Sequence, residues 1–365
     1  MVRSEKKHRI IFIDLMRAIA VIQMVQGHTV DALLAPEFRS DQFVVYYVWN
    51  FLRGLTAPVF MFTAGTVFTY LFRLANEPFE FNPRVKKGFY RFILLVFIGY
   101  VLRYPTFTIV DFSDVTQDRL DIFFAVDVLQ LIGFGILFLV ILAYIAEKLK
   151  ASDTIIFTIT ALVFFLATPF VSKVHWIEYF PQFIAGYFYD GTGSLFPLFP
   201  WAGYIVLGGV LGSYLAKNPL VFKTNKFSLN LAIFGAALVF VSEVSVYITA
   251  KYFGYTYETT SYTPDTIIFR VGVVLLLNSA ISFISQKIES IPKIIVLVGR
   301  NTLLIYVAHL MILFGSAWNP GITLLFASSL NVTVTVIAAI LMILIMILMV
   351  HLLSRFKFRN KQLVT

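Results

Sequence analysis

Long apolar runs alternate with short polar stretches along the whole chain. About ten of these runs approach the roughly 20 residues that an α-helix needs to cross a bilayer. They predict membrane spans at residues 10–34, 44–72, 88–108, 122–146, 154–172, 196–216, 228–251, 265–286, 294–316 and 330–354. No polar stretch between them is long enough to fold alone. We therefore predict an all-α polytopic membrane bundle that forms a single domain over residues 1–365.

The composition agrees with a membrane protein. The chain is 59% hydrophobic and only 13% charged, whereas a soluble protein carries about 25% charged residues. Because there is too little polar surface for a soluble globule, the lipid bilayer is the expected partner. The chain has no cysteine, which excludes disulfides, thiolate chemistry and cysteine-ligated metals. We expect no metal cofactor.

The basic residues follow the same alternation as the spans. The net charge of +9 comes largely from the two termini and from the loops after spans 2, 4, 6 and 8, while the opposite loops are richer in Asp and Glu. Basic loops stay in the cytoplasm, so both termini are predicted to be cytoplasmic. This distribution explains the charge without a nucleic-acid partner. The first run lacks a cleavage-site pattern and predicts a retained span, and the composition suits a bacterial inner membrane.

Ionisable groups inside several spans are the first candidates for chemistry, because such groups are costly in a bilayer and usually face a cavity. At about 1.5 Å per residue, groups from seven spans fall near the outer side. They are His28, Arg53, Arg103, Asp127, Glu243, Arg270 and His309. We predict that Arg53, Asp127, Glu243 and Arg270 form an outer polar layer that contacts substrate. The arginines could instead extend to lipid headgroups, and His309 could be a hydrogen-bonded packing residue.

The inner half of the spans is mainly cationic. Asp14 and Arg17 lie one helical turn apart in span 1, Arg91 opens span 3, and Arg300 with Asn301 lies in span 9. A guanidinium can bind two phosphate oxygens at once. Arg17, Arg91, Arg300 and Asn301 are therefore candidates for binding a phosphate-bearing coenzyme from the cytoplasm. The alternatives are a helix-end ion pair at Asp14 and Arg17 and a membrane anchor at Arg91.

Four stretches of the sequence carry a resemblance to a known family. They are Phe12 to His28, where ten residues separate Arg17 from His28; Phe51 to Gly65; Phe196 to Tyr204; and Gly299 to His309. The chain resembles the transmembrane acyltransferases, which include the acyltransferase-3 proteins, and within them the heparan-alpha-glucosaminide N-acetyltransferase-like branch. Eukaryotic members of this branch place a catalytic histidine in the loop after helix 1. The loop from Asp31 to Gln42 contains none, so only His28 can take that role.

The resemblance implies an acyl-CoA-dependent O- or N-acyltransferase embedded in the membrane. Such an enzyme moves an acyl group, usually acetyl, from cytoplasmic acetyl-CoA to a hydroxyl or amine of an extracytoplasmic glycan or glycolipid. His28 would act as a general base or as a nucleophile, because an imidazole titrates near neutral pH. His309 or Tyr306 would bind the developing oxyanion or the acceptor. Asp127 or Glu243 would fix the tautomer of a histidine.

Two other functions stay open on the sequence alone. A secondary transporter of a small polar or anionic substrate would line its route with the same polar groups, although no pair of Gly/Pro-broken spans lies in matching halves. In a non-enzymatic scaffold or sensor, the ionisable groups inside the spans would have no function. The GxxxG spacing of Gly208 and Gly212 in span 6 favours close helix packing, and this glycine face leaves room for a homodimer.

Overall fold

The computed structural model describes residues 10–253 and 260–362, and over these residues the chain is mainly helical. Fifteen α-helices lie in the described residues: α1 (Ile11–Leu33), α2 (Val44–Gly54), α3 (Thr56–Arg73), α4 (Pro83–Leu102), α5 (Gln117–Phe124), α6 (Val128–Lys148), α7 (Asp153–Val171), α8 (Gln182–Ala185), α9 (Leu198–Lys217), α10 (Asn225–Phe253), α11 (Pro264–Lys287), α12 (Lys293–Arg300), α13 (Thr302–Leu313), α14 (Thr323–Phe326) and α15 (Val332–Gln362). A short antiparallel pair, β1 (Gly315–Ser316) and β2 (Asn319–Pro320), follows α13. The predicted all-α class is confirmed.

The number of membrane spans differs slightly from the prediction. Among the described helices, eight candidates are long and apolar enough to cross a membrane, and α12 with α13 makes a ninth if this bent pair is one span. The remaining predicted span is α4, whose first half carries Arg84, Lys86, Lys87 and Arg91. The chain is an integral membrane protein, while the cytoplasmic location of its termini stays a prediction.

The chain divides into two compact units. The terminal unit comprises residues 10–60 and 288–362 and contains α1, α2 and α12 to α15. The middle unit comprises residues 61–287 and contains α4 to α11. Helix α3 begins in the terminal unit and ends in the middle unit. The predicted single domain over residues 1–365 stays a prediction.

In the terminal unit, α1 packs against α12, α13 and α15. Helices α12 and α13 meet at an angle of 75°. The bend lies at Asn301, whose backbone leaves the helical region at φ −109° and ψ 29°. The Asn301 side-chain Nδ2 donates to the Leu297 carbonyl at 2.7 Å and so caps the end of α12. The bend corrects our depth estimate for His309, which assumed one continuous helix.

In the middle unit, glycines of α9 allow the close approach of α3. A Cβ at Gly208 would overlap the Phe62 carbonyl, and a Cβ at Gly212 would overlap the Thr66 carbonyl. The GxxxG spacing therefore serves helix packing within the chain, as predicted. Because α3 covers this glycine face, the face is not available to a second copy. The homodimer stays a prediction.

A buried polar network also joins three helices of the middle unit. Asp153 begins α7 and accepts hydrogen bonds from Arg73 Nη2 at 2.5 Å and from Ser213 Oγ at 2.9 Å. Arg73 ends α3 and Ser213 lies in α9. Since a buried carboxylate requires partners, this network fixes the ends of α3 and α7 against α9.

Candidate active site

Three side chains of the terminal unit form what we call the histidine cluster: His28 of α1 and Tyr306 and His309 of α13. The two imidazoles stack at 5.2 Å between ring centroids, with planes inclined by 20°. His28 Nδ1 lies 3.0 Å from His309 Nε2. The Tyr306 ring meets them edge-on, 6.3 Å from His28 and 5.6 Å from His309 between centroids. The structure thus brings together all three predicted catalytic residues.

Helix geometry explains why these side chains meet. Tyr306 and His309 are three residues apart on α13, so they share one face of that helix. This face packs against α1, where His28 lies in the last third of the helix. Tyr306 and His309 are fully buried, while His28 is only partly buried. His28 is therefore the most exposed member of the cluster.

The hydrogen bonds of the cluster determine where each imidazole carries its proton. His309 Nδ1 lies 2.8 Å from the Ile305 carbonyl oxygen, which can only accept, so Nδ1 must donate. In the neutral ring, His309 Nε2 then accepts, and the donor is His28 Nδ1. His28 Nε2 consequently holds the lone pair. A backbone carbonyl of α13 thus fixes the His309 tautomer, rather than a carboxylate such as Asp127 or Glu243 as predicted.

A charged pair lies one turn beyond His28 on α1. Asp31 Oδ2 is 2.5 Å from Arg53 Nε of α2. The Arg53 side chain crosses α1 at Gly27, where its Cγ lies 3.7 Å from the position a Cβ would take. Arg53, predicted in the outer polar layer, therefore lies beside the histidine cluster. Our sequence reading assigned Asp31 to a loop, although its spacing of three from His28 within a predicted span was a usable signal.

The candidate phosphate-binding residues of the terminal unit gather where α1 crosses α12. A Cβ at Gly299 would lie 3.4 Å from Arg17 Cβ, so the two helices are in close contact there. Arg300 and Asn301 follow directly in the chain. Arg17 is partly buried and Arg300 is exposed. The fourth candidate, Arg91, is exposed on α4 of the middle unit.

A known family matches the part of the chain that contains His28. Its description is "heparan-alpha-glucosaminide N-acetyltransferase, catalytic", and the match covers residues 9–253. The chain belongs to this family. A search of the curated proteins finds no match. The resemblance stated from the sequence is confirmed, and the protein is a membrane acetyltransferase of a family that acts on glycans.

The extent of the match is informative for this acetyltransferase. It includes His28, Arg17 and Arg91 but ends before Tyr306 and His309. Tyr306 and His309 are therefore assigned to the site by their contact with His28 and not by the family match. Because the matching family is defined by a catalytic domain, it favours an enzyme over the transporter and scaffold alternatives.

Two predicted outer-layer residues of the acetyltransferase lie in the middle unit without forming a cluster. Asp127 is the N-cap of α6; its Oδ1 accepts from the Val128 N–H at 2.7 Å, and its Oδ2 pairs with Arg103 Nη2 at 2.7 Å. The depth estimate assumed that Asp127 lies inside a continuous helix. In the structure, α5 ends before Asp127, and a new helix begins after it. Glu243 is exposed on the surface of α10.

The last predicted outer-layer residue, Arg270, belongs to a group that we call the tryptophan cluster: Asp190, Trp201, Tyr204, Tyr262 and Arg270. The Arg270 guanidinium lies 5.4 Å from the Trp201 ring centroid. Trp201 and Tyr204 are buried on one face of α9. Tyr262 lies just before α11, where burial raises the pKa of its phenol and the neighbouring Asp190 carboxylate raises it further. Sequence reasoning selected only Arg270 from this group.

Proposed function

We propose that the protein transfers an acetyl group from cytoplasmic acetyl-CoA to a hydroxyl or amine of an extracytoplasmic glycan or glycolipid, in a bacterial inner membrane. The observation that carries this proposal is the hydrogen bond between His28 and His309. Its direction leaves a lone pair on Nε2 of the more accessible imidazole. An imidazole positioned in this way is the most common general base in enzymes. Family membership supports acetyl transfer as the reaction.

The reaction can be written with His28 as the proton carrier. His28 Nε2 takes the proton of the acceptor O–H or N–H while the acceptor atom attacks the thioester carbonyl carbon. A C–O or C–N bond forms, and the carbonyl electron pair moves onto oxygen. When this intermediate collapses, the C–S bond breaks and the proton passes from Nε2 to the coenzyme sulfur. The products are the acetylated acceptor and coenzyme A, and His28 returns to its starting tautomer.

His309 has a positioning role in this proposal. Its Nε2 holds the His28 Nδ1–H, and the Ile305 carbonyl holds its own Nδ1–H. The same hydrogen bond stabilises the imidazolium that forms when His28 takes up a proton, because Nδ1–H donates in both states. Tyr306 is then the candidate for binding the oxyanion. Direct attack of His28 Nε2 on the thioester would use the same lone pair.

Two substitutions at His309 test this positioning role. His309→Ala removes the acceptor of the His28 Nδ1–H, so we expect kcat to fall on the order of 100-fold. His309→Gln keeps a side-chain oxygen that can accept the bond, and it should recover part of this loss. The measurement is the rate of thiol release from acetyl-CoA in liposomes, with KM for acetyl-CoA expected to stay near the wild-type value. Equal losses in both variants, or an effect on KM alone, would show that His309 contacts substrate instead.

We propose that the coenzyme phosphates bind where α1 crosses α12. Arg17 and Arg300 supply positive charge at this crossing, and Asn301 lies beside them. For Arg91 of α4, a role in coenzyme binding stays a prediction from the sequence. Arg17 and His28 are separated by about 16 Å along α1, a distance that an extended pantetheine arm can span. The arrangement would bring the thioester to His28 while the phosphates stay at the inner end of α1.

Coenzyme binding provides a separate prediction. In Arg17→Gln and Arg300→Gln, the Kd for coenzyme A should rise about tenfold, because a hydrogen bond to a charged group contributes roughly 1.5–3 kcal/mol. Calorimetric titration of the detergent-solubilised protein measures this change. Arg355→Gln is a matched control, since Arg355 is an exposed basic residue of α15 outside the crossing. An unchanged Kd in both test variants would place the phosphates elsewhere.

A further inference from the structure

The first half of α4 carries a strongly basic surface, which we call the basic segment: Arg84, Lys86, Lys87 and Arg91. These cations lie within the first three turns of the helix, and α4 contains no Asp or Glu. Lys86, Lys87 and Arg91 are exposed, and Arg84 is half-buried. Like charges three and four residues apart repel one another, and the positive end of the helix dipole adds to this cost.

No described carboxylate compensates this charge. Over residues 10–253 and 260–362, no side chain of the basic segment forms an ion pair or a hydrogen bond. The acids that precede α4 most closely, Glu77 and Glu80, are exposed in the loop before it. Glu147 of α6 instead accepts the backbone N–H of Phe79, at 3.2 and 3.0 Å to its two oxygens. The basic segment is therefore open to an anion that is not part of the described chain.

An exposed apolar stripe continues from the basic segment along α4. It consists of Tyr90, Ile93 and Phe97, which are three and four residues apart and therefore share one face of the helix. Their side chains are 68%, 62% and 64% exposed. Lys86 lies on the same face, one turn before Tyr90, while the opposite face packs on α6. Cations followed by apolar side chains match the order of headgroup and acyl chain in a phospholipid.

The length of the uncharged part of α4 determines the depth of the basic segment in the bilayer. Residues 92–102 carry no charge and extend over about 16 Å as a helix, roughly half of the hydrocarbon core. In the predicted span, Lys87 and Arg91 therefore lie below the inner headgroups. Long cationic side chains at such a depth extend toward the interface. Their charge then meets the phosphates of the cytoplasmic leaflet, where anionic lipids are found.

We propose that α4 binds an anionic phospholipid, whose phosphate contacts the basic segment and whose acyl chain lies along the apolar stripe. Arg84, Lys87 and Arg91 are three and four residues apart, so they lie on one side of the helix and can share one phosphate. A guanidinium can bind two phosphate oxygens at once. A lipid with net negative charge is preferred, because the basic segment contains no acid that could bind the ammonium group of a zwitterionic lipid. The lipid stabilises the first half of α4 and takes no part in acetyl transfer.

Binding of a matched pair of lipids tests this site. The full chain in a neutral detergent is titrated with phosphatidylglycerol and with phosphatidylcholine of the same acyl chains, and native mass spectrometry measures the Kd for the first lipid bound. We expect a Kd for phosphatidylglycerol at least about tenfold lower, because each cation near a membrane surface strengthens the attraction of an anionic lipid about fivefold. Equal Kd values for the two lipids would overturn the proposal.

A pair of double variants locates the lipid on the chain. Arg84→Gln with Lys87→Gln removes two cations of the basic segment, and the Kd for phosphatidylglycerol should rise about 25-fold. The matched control is Lys223→Gln with Lys226→Gln, which removes two exposed cations of the middle unit on the same predicted side of the membrane. The control should keep the wild-type Kd. An equal rise in both double variants would show a general effect of positive charge and would reject a site on α4.

Unfolding temperatures show whether the variant is simply misfolded. Without lipid, Arg84→Gln with Lys87→Gln should unfold at the wild-type temperature or higher, because neighbouring like charges at the positive end of a helix are gone. Phosphatidylglycerol should raise the unfolding temperature of the wild type and of the control, but not of this variant. A lower unfolding temperature of the lipid-free variant would mean that the chain itself compensates Arg84 and Lys87, contrary to the proposal.

Competition separates a lipid from a free phosphate compound. Coenzyme A also carries phosphates, and the sequence predicts Arg91 as one of its contacts. We expect neither coenzyme A nor inorganic phosphate in excess to displace phosphatidylglycerol from the wild type, because neither occupies the apolar stripe. Displacement by coenzyme A would assign the basic segment to the coenzyme, and displacement by inorganic phosphate would assign it to a free anion. Either result would overturn the lipid site and leave the proposed acetyl transfer untouched.

Discussion

Replacing His28 with alanine is expected to lower kcat/KM for acetyl transfer by about 10³-fold, within the range measured for a positioned general acid–base group. The variant loses the nitrogen that carries the proton from acceptor to leaving sulfur. His309 cannot substitute for it, because the His309 side chain is fully buried and its Nδ1–H is held by the Ile305 carbonyl. Thiol release and labelled acetate in the acceptor both report the loss.

A third histidine of the terminal unit controls for this experiment. His351 lies on α15 and is partly buried, and His351→Ala should keep the wild-type rate. Coenzyme A affinity should stay unchanged in His28→Ala, because the proposed phosphate site lies at the other end of α1. If His28→Ala transfers acetyl at the wild-type rate, His28 is not the base.

Replacing Asp153 with alanine is expected to cost about 3–5 kcal/mol of unfolding free energy, the usual effect of removing one partner of a buried ion pair. The substitution leaves the Arg73 guanidinium without the oxygen that Nη2 contacts at 2.5 Å, and Ser213 Oγ loses its acceptor. Arg73 Nε already lacks a partner in the described residues, so the remaining charge is poorly compensated. Unfolding in mixed micelles of increasing SDS fraction measures the change.

The exposed ion pair of α1 and α2 provides a comparison for this experiment. The side chains of Asp31 and Arg53 are 26% and 47% exposed, against 8% and 20% for Asp153 and Arg73. Asp31→Ala should therefore cost no more than about 1 kcal/mol, as exposed pairs do. Equal costs for Asp31→Ala and Asp153→Ala would mean that the buried network does not stabilise the middle unit.

Hydropathy predicts individual helices of this protein well, because each apolar run must become a helix to satisfy its backbone in lipid. The first run was predicted over residues 10–34 and forms Ile11–Leu33. Hydropathy does not predict the breaks inside an apolar run. The bend at Asn301 and the interruption before Asp127 each depend on a few backbone angles and side-chain hydrogen bonds, which leave average hydropathy unchanged.

The active site could be predicted only in part, for a related reason. Arg17 and His28 are selected as ionisable residues inside a predicted span, together with the resemblance of four stretches to the family. The partner of His28, however, lies 281 residues away along the chain, and only the packing of α13 on α1 shows the contact. The direction of the hydrogen bond follows from the Ile305 carbonyl, which no pattern of side chains reveals. The packing of Arg270 on the Trp201 ring was likewise not predictable, because Trp201 stands in the sequence among ordinary aromatic residues.

The protonation pattern of the histidine cluster is the central claim, and nitrogen NMR measures it directly. Protein labelled with ¹⁵N-histidine is reconstituted in lipid, and His28→Ala and His309→Ala assign the two imidazoles. We expect both neutral rings to carry hydrogen on Nδ1 and to show an unprotonated Nε2, with the His309 Nε2 signal shifted by the hydrogen bond it accepts. A His28 ring with hydrogen on Nε2 and none on Nδ1 would contradict the account.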